Sequence, residues 1–255
     1  HHMVAVANPA ESWSAARYVQ AADACVQDIL RRGKLPVLVG GTGLYLDALI
    51  RGTDFAAGSQ GTEIRQALQR RARTEGVEVL LEELRKIDSA AAEKLHLRDE
   101  KRIIRALEVW QETGRTITEH DALERQRPPR YDALYIGLDF EDRQDLRDRI
   151  DRRVDIMVEQ GLLAEVEALL SGGLPRDATA LQAIGYKQFL AVAEGTVTTE
   201  EAIAEVKLRS RQYAKRQLTW LRRNPDIFWV RWQRDPNFPE GLQKATEYLH
   251  RRGLC

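Results

Sequence analysis

The sequence predicts an α/β core that carries an all-helical insertion, and three observations predict it. A β-branched apolar run, Pro36-Val37-Leu38-Val39, flows directly into Gly40-Gly41-Thr42-Gly43 and then into a helical pattern. That is how a buried parallel strand delivers backbone N–H groups to a ligand at a helix N-terminus. Strand-like runs are few and widely spaced, with helical periodicity between them. Residues 62–127 hold only short, charged helical patterns with no strand among them.

Each element has its own reason. From Ser14 to Arg32, apolar side chains recur at Ala15, Tyr18, Ala22, Cys25, Val26, Ile29 and Leu30. This is helical spacing, and Gly33 fits the residue just past the end. Pro36–Val39 is expected as the first core strand, followed by a helix from Gly43 to Ile50 that Gly52 stops. Thr53–Gly61 is expected as a loop. Helices are expected over 63–74, 77–86, 90–95, 100–113 and 116–124, with Asp99 a natural N-cap for the fourth. Gln126-Arg127-Pro128-Pro129-Arg130 then reads as a linker. Ala133–Leu138 is expected as a second strand and Ile227–Trp232 as a third. Helices fill 143–160, 162–170 and 185–194, a long one starts at Thr199 and runs to about Arg223, and a last one covers 239–252. The domain reading is core over 1–61, helical insertion subdomain over 62–127, and core again over 128–255.

Composition narrows the function classes. The 255 residues are 43% hydrophobic and 31% charged, enough for one full core and a satellite subdomain. Lys plus Arg and Asp plus Glu are 39 each, so bulk charge marks no nucleic-acid binder and local charge must be read instead. Cys25 and Cys255 lie at opposite ends. They form neither a disulfide framework nor a metal pair, which fits a reducing, cytoplasmic compartment. No apolar run approaches about 18 residues, no signal peptide is visible, and no membrane association is expected.

Four constellations carry candidate chemistry. In the glycine loop, Gly40, Gly41 and Gly43 permit tight turning and close anion approach, the N–H groups of Gly43 to Tyr45 start a helix, and Thr42 adds a hydroxyl. Thr42 is equally readable as a plain N-cap, and the loop is not a G-x-x-x-x-G-K-[ST] motif. The helix after Thr199 sets an apolar arc (Val206, Tyr213, Trp220) between two basic edges. One edge carries Lys207, Arg211, Lys215 and Arg222, and the other carries Arg209, Arg216 and Arg223. Seven cations against Glu201 and Glu205 in a neutral chain favour an anionic partner, although such stems also cover apolar surface. Arg98, Lys101, Arg102 and Arg105 share one side of a helix in the insertion. Arg149, Arg152 and Arg153 lie within one helical turn, where Asp148, Asp151 and Asp155 could pair with them. No H-E-x-x-H, C-x-x-C or G-x-S-x-G occurs, and no metal site is expected from this chain's side chains alone.

Several segments, in order, resemble the tRNA dimethylallyltransferase (tRNA isopentenyltransferase) family. They are His1-His2, the Asn8-Pro9 turn with Ser14-Ala15, residues 38–45 around the glycine loop, Arg102-Ile103-Ile104-Arg105-Ala106-Leu107-Glu108-Val109, residues 149–157, Gln182-Ala183-Ile184-Gly185-Tyr186-Lys187, and Arg211 through Trp220. The resemblance implies a P-loop NTPase-like parallel-sheet core with a helical insert. It implies transfer of a dimethylallyl group from dimethylallyl diphosphate to N6 of the adenine just 3′ of the anticodon. Thr42 is then the catalytic candidate, with Gly40, Gly41, Thr42, Gly43, Arg149 and Arg153 on the diphosphate. Arg65, Lys101, Arg102, Ile103, Ile104, Arg105, Arg211, Gln212, Lys215 and Arg216 match positions that contact the tRNA anticodon stem-loop. The family pattern also has a G-P-T-x-x-G-K-[ST] loop and an S-D-S aspartate, the latter its general base, and this sequence has neither. His1-His2 matches an internal His-His of the family. The expectation is therefore that an N-terminal part is missing, that it carries most Mg²⁺ ligands, and that residues 1–255 alone, as a monomer, are inactive or nearly so. Two rivals stay open: an adenylate isopentenyltransferase acting on free nucleotide, and a non-catalytic RNA-binding module. A P-loop kinase of small metabolites lacks a recognisable acceptor site.

Overall fold

The computed structural model describes residues 1–53, 55 and 63–254. Most of the loop expected over Thr53–Gly61, and Cys255, lie outside the described residues. The chain divides into two compact units, one of His1–Leu46 with Ala133–Cys255 and one of Asp47–Asp132.

The first unit opens with α1 (Ala15–Arg31), capped by the Ser14 hydroxyl accepting from Arg17 N–H at 3.2 Å and followed by Gly33 at φ +65°. Helix α2 (Gly43–Arg51) begins at the glycine loop and runs on into the second unit. Strands β1 (Ile136–Phe140) and β2 (Phe228–Trp232) pair in parallel, from Ile136↔Phe228 to Phe140↔Trp232. Gly137 lies opposite Trp229, and an added Cβ there would come within 2.6 Å of the indole, so only glycine gives the ring its place. Helix α12 (Phe238–Arg251) closes on β2, with Tyr248 stacked on Phe228 at 4.6 Å. Four helices build the larger core of this unit: α8 (Arg143–Glu159), α9 (Leu162–Ser171), α10 (Tyr186–Ala193) and α11 (Thr199–Leu221). Val154, Leu162, Val166, Phe189, Ala202 and Val206 are buried there together. A single-turn 3₁₀ segment, Thr179–Gln182, precedes α10.

The second unit is helical among its described residues. It holds the end of α2, α3 (Glu63–Thr74), α4 (Val77–Ile87), α5 (Ser89–Ala92), a 3₁₀ turn at Leu97–Asp99, α6 (Glu100–Thr113) and α7 (Ile117–Gln126). Leu68, Leu80, Leu84, Ile103 and Leu107 form its core. Asp88 is buried and satisfied: it accepts from Ala91 N–H at 3.0 Å, Thr118 N–H at 3.0 Å and the Thr118 hydroxyl at 2.7 Å, joining α5 to the start of α7.

The structure corrects several local expectations. Pro36–Val39 forms no strand, with Val37 75% and Val39 92% exposed. Strand propensity becomes a strand only when a neighbouring edge takes the backbone bonds, and among the described residues none does so here. The strand expected at Ala133–Leu138 begins and ends later, because pairing with β2 runs out to Phe140. The long helix starts at Thr199 as expected but ends at Leu221, short of Arg223, and its N-cap is Thr198. Thr198 accepts from Glu201 N–H at 3.2 Å while Glu201 takes Thr198 N–H at 2.9 Å, a reciprocal capping box. Asp99 precedes α6 but makes no side-chain cap to it; its carboxylate takes His96 N–H at 3.0 Å instead. No helix among the described residues is long and apolar enough to cross a membrane.

Candidate functional site

The glycine loop meets α11 through three side chains one helical face apart. The Gln217 amide donates to Gly41 O at 3.0 Å. The Tyr213 hydroxyl lies 3.4 Å from Thr42 Oγ1. Trp220 lies flat against Gly43, so that an added Cβ would fall within 2.5 Å of indole Cε2. Positions 213, 217 and 220 follow the i, i+4, i+7 rule for one face. The sequence reading placed Tyr213 and Trp220 on a docking arc but gave Gln217 no role. The signal was present: Gln217 stands between them on the same stripe. Aromatic rings support the other side of the loop. Tyr45 stacks on Tyr18 at 4.6 Å, and burial followed by the proximity of Tyr213 pushes the Tyr45 hydroxyl pKa up. Arg216 sits over the Tyr213 ring at 5.7 Å.

Thr42 occupies the N-cap position of α2, since its carbonyl accepts from Tyr45 N–H at 2.9 Å and Leu46 N–H at 3.2 Å. Its hydroxyl, however, is exposed, and its hydrogen-bond partner among the described residues is Tyr213 rather than the helix backbone. The expectation that Gly43 to Tyr45 all offer N–H groups is trimmed, because Tyr45 N–H is spent on Thr42 O. Gly43 and Leu44 remain as the open donors among the described residues. The glycines also separate. Gly41 and Gly43 are held bare by Gln217 and Trp220, whereas Gly40 has nothing within 4 Å of where a Cβ would stand and no left-handed φ.

The cations of the two long helices fall into two kinds. Arg211 is pinned to Asp151 at 2.5–2.6 Å, and Lys207 to Asp155 at 2.6 Å. Both residues thus join α11 to α8. Gln212 accepts from Arg209 at 3.4 Å, and Arg209 pairs with Glu205 at 2.6 Å. Lys215, Arg149 and Arg153 are exposed and, among the described residues, have no ion-pair partner. No hydrogen bond among the described residues links Arg149 or Arg153 to the loop or to its α11 partners. At the C-terminal end of β1, Asp139 is 5% exposed. It accepts a two-pronged bond from Arg143 at 2.8 and 2.9 Å and a bond from Arg222 at 3.2 Å. Burial alone would raise this carboxyl, but those arginines and the Phe140 N–H hold it below the ordinary range.

In the helical unit, the predicted set divides by burial. Ile103 and Ile104 are 0% and 4% exposed and belong to the core, so they offer RNA no side chain. Side-chain exposure therefore does not support their assignment to RNA: a helix packed by one face turns positions three and four apart inward together, here Ile103 and Ile104 with Leu107. Lys101 and Arg102 are exposed. Arg65 and Arg105 converge on Glu108, at 2.5–3.0 Å and 3.0 Å, and that carboxylate is fully buried. Sequence periodicity could not single out Glu108, which reads as one more charged helix residue.

Around the loop the donors are hydroxyls, N–H groups, an amide and cations, which suit an anion. A hard divalent cation takes carboxylate and carbonyl oxygens instead, and among the described residues no cluster of His, Cys, Asp and Glu is assembled to hold one. These residues do not by themselves fit a Mg²⁺ site.

The IPP transferase family profile matches residues 1–224. A tRNA dimethylallyltransferase of Carboxydothermus hydrogenoformans is 42% identical over 249 residues, covering 98% of this chain and 78% of its own length. That of Thermoanaerobacter sp. (strain X514) is 40% identical over 250 residues, covering 98% and 79%. Among solved structures, the full-length tRNA isopentenylpyrophosphate transferase of Bacillus halodurans superposes with TM-score 0.68 at 38% identity, covering 98% of this chain and 77% of that one. A eukaryotic dimethylallyltransferase acting on tRNA gives TM-score 0.76 at 28% identity, covering 97% and 63%. A profile match over most of the chain and relatives near 40% identity across nearly all of it agree with the segments quoted from the sequence: this chain belongs to the IPP transferase family, with the tRNA dimethylallyltransferases.

Proposed function

We propose that this chain carries the reaction of its family, transfer of a dimethylallyl group from dimethylallyl diphosphate to N6 of the adenine beside the anticodon of tRNA. In that step the allylic C1–O bond breaks, diphosphate leaves with the electron pair, N6 bonds C1 and loses a proton. Negative charge grows on the leaving diphosphate, so catalysis needs fixed donors aimed at it. The observation that carries this reading is the exposed Thr42 hydroxyl at the start of α2, held by Tyr213 rather than spent on its own helix. Gly40, Gly41, Thr42 and Gly43 form one wall of a diphosphate site, and Arg149 and Arg153 supply guanidinium groups. Lys101, Arg102, Arg105, Arg65, Gln212, Lys215 and Arg216 meet the anticodon stem-loop. Arg211, bonded to Asp151, serves the RNA by holding α11 in place. The parallel β1–β2 pair supports a P-loop-like core, with the helices from α3 to α7 as its inserted subdomain. Mg²⁺ would accompany the diphosphate. Free Cys25 supports a reducing, cytoplasmic setting, and we place the enzyme there as a monomer.

The test is Thr42→Ala in a prenylation-competent enzyme. We expect kcat to fall by roughly 10²–10³-fold, the scale of one oxyanion-type donor, with tRNA affinity unchanged. Unchanged turnover would return Thr42 to a plain cap and favour the RNA-binding module. A salt-independent interaction with tRNA would favour the enzyme of free nucleotides.

A further inference from the structure

The ion pairs between α8 and α11 have a register. Asp155 meets Lys207 at 2.6 Å and Asp151 meets Arg211 at 2.5 Å. Four residues back along α8 correspond to four residues forward along α11, so the helices run antiparallel with one rung per turn. The pairing does not splay apart further on. Asp139, four residues ahead of Arg143 at the start of α8, bonds Arg222, the residue just past α11, at 3.2 Å. Between these bracketing contacts, the next rung in the series is Arg147 with Lys215. There the ladder changes sign: instead of an acid facing a base, two cations share one level.

Neither cation is neutralised. Both are exposed, and among the described residues neither has an ion-pair partner. The acids that could serve them are committed elsewhere. Asp151 is held by Arg211, Asp148 accepts from the Gln144 amide at 2.7 Å, and Asp139 is held by Arg143 and Arg222. Like charges at one level cost stability, while a phosphate bridging a guanidinium and an ammonium turns the repulsion into two charge-assisted bonds.

We infer that Arg147 and Lys215 form a two-cation phosphate site on the α8–α11 seam, with Arg147 a further RNA-contacting residue. The occupant is a phosphodiester of the tRNA backbone, which rests on the function proposed above. An open two-cation site holds a lone phosphate weakly, whereas an RNA strand brings neighbouring phosphates to neighbouring cations such as Arg216.

The experiment compares Arg147→Ala, Arg147→Glu, Lys215→Ala and the Arg147→Glu/Lys215→Ala pair. Without RNA, Arg147→Glu places a carboxylate opposite Lys215 and should raise the melting temperature by about 1–3 °C. That gain should vanish when Lys215→Ala is also present, which separates the rung from any benefit to α8 alone. With tRNA, Arg147→Ala should weaken binding about ten-fold and lower the slope of log K against log salt by about one. Arg147→Glu should weaken binding further. Stability and affinity thus move in opposite directions. A melting gain that survives Lys215→Ala, or an unchanged affinity and salt slope in Arg147→Ala, overturns the site. Stabilisation by inorganic pyrophosphate that Arg147→Ala abolishes, with the tRNA slope unchanged, overturns RNA as the occupant. Failure of the wild-type chain to bind tRNA at any salt overturns the functional reading and its RNA occupant together, while the melting cycle still decides the rung.

Discussion

Replacing the three glycines of the loop one at a time by alanine tests how the loop is held, because the structure assigns each a different outcome. Gly43 is the first residue of α2, and alanine in place of glycine inside a helix ordinarily stabilises by roughly 0.5–1 kcal/mol. Here the new Cβ would overlap the Trp220 indole, with Cε2 at 2.5 Å. A ring carried by a 23-residue helix does not yield as a flexible side-chain tip would. Overpacking of this kind costs about 1–3 kcal/mol, so the sign reverses. At Gly41 the obstacle is the Gln217 carboxamide, its Cδ at 2.9 Å. That amide can swing away at the expense of its 3.0 Å bond to Gly41 O, a loss of about 1 kcal/mol. At Gly40 nothing lies within 4 Å and φ is not left-handed, so alanine should be neutral or slightly stabilising.

For a unit of this size, 1 kcal/mol moves the melting temperature by roughly 2–4 °C. The expected order is therefore no loss at Gly40, a few degrees at Gly41 and the largest loss at Gly43, followed by calorimetry or circular dichroism. A shorter side chain at position 220 should suppress the Gly43 effect, so Gly43→Ala should be non-additive with Trp220→Leu. A stabilised Gly43→Ala protein, or a Gly40→Ala protein as damaged as the other two, would refute the contact between loop and α11.

In the helical unit, Glu108→Gln should destabilise by roughly 3 kcal/mol, because an amide cannot balance Arg65 and Arg105 at a buried position; urea unfolding measures it, and Arg105→Ala should cost less. Acid should weaken both units through Asp88 and Asp139. Burial alone would raise each carboxyl, but the bonds it accepts hold each below 3.8 in the folded state. The unfolded chain then binds more protons as pH falls past 3.8, so this stability is present above that value and is lost through the lower folded pKa values. Asp88→Asn should flatten the part of the pH profile that belongs to Asp88, and an unchanged profile would reject that assignment.

Helix-forming patterns were legible because each helix declares its ends locally. The Ser14 cap, the left-handed Gly33 and the Gly161 turn are one-residue signals with short-range causes. The strands were less legible, since the apolar, valine-rich run Val37–Val39 suits a strand yet pairs with no described edge. The candidate site was legible where a motif names its residues, as in the Gly40–Gly43 loop that packs on α11. It was illegible where side chains meet from distant positions. Gln217 reaches back 176 residues to Gly41, and Glu108 takes up two arginines that a surface reading assigned wholly to RNA. Basic stripes on helices overstate the cations available for a ligand, because a carboxylate on the facing helix can claim some of them. Arg211 and Asp151 are the example here.

That division gives α11 its mechanical character. One stripe of the helix, Ala202 and Val206, is buried in the core of its unit. A second, Lys207 and Arg211, is fixed to α8 by ion pairs, and a third, Tyr213, Gln217 and Trp220, closes on the glycine loop. A helix restrained on three sides has little freedom left to rotate or slide. Cations carried on its remaining surface, Lys215 and Arg216 above all, are therefore held in place before any anion arrives. Binding then loses less side-chain and backbone entropy than it would on a mobile segment. The same rigidity ties the loop to the basic surface. Because Tyr213 touches Thr42 and lies under Arg216, a shift of α11 by a fraction of a turn would disturb the proposed diphosphate wall and the proposed RNA contacts at once. Changes at Gln217 or Trp220, which touch neither proposed ligand, should accordingly alter both substrate affinities together, whereas changes at Lys101 or Arg102 should alter only that for tRNA.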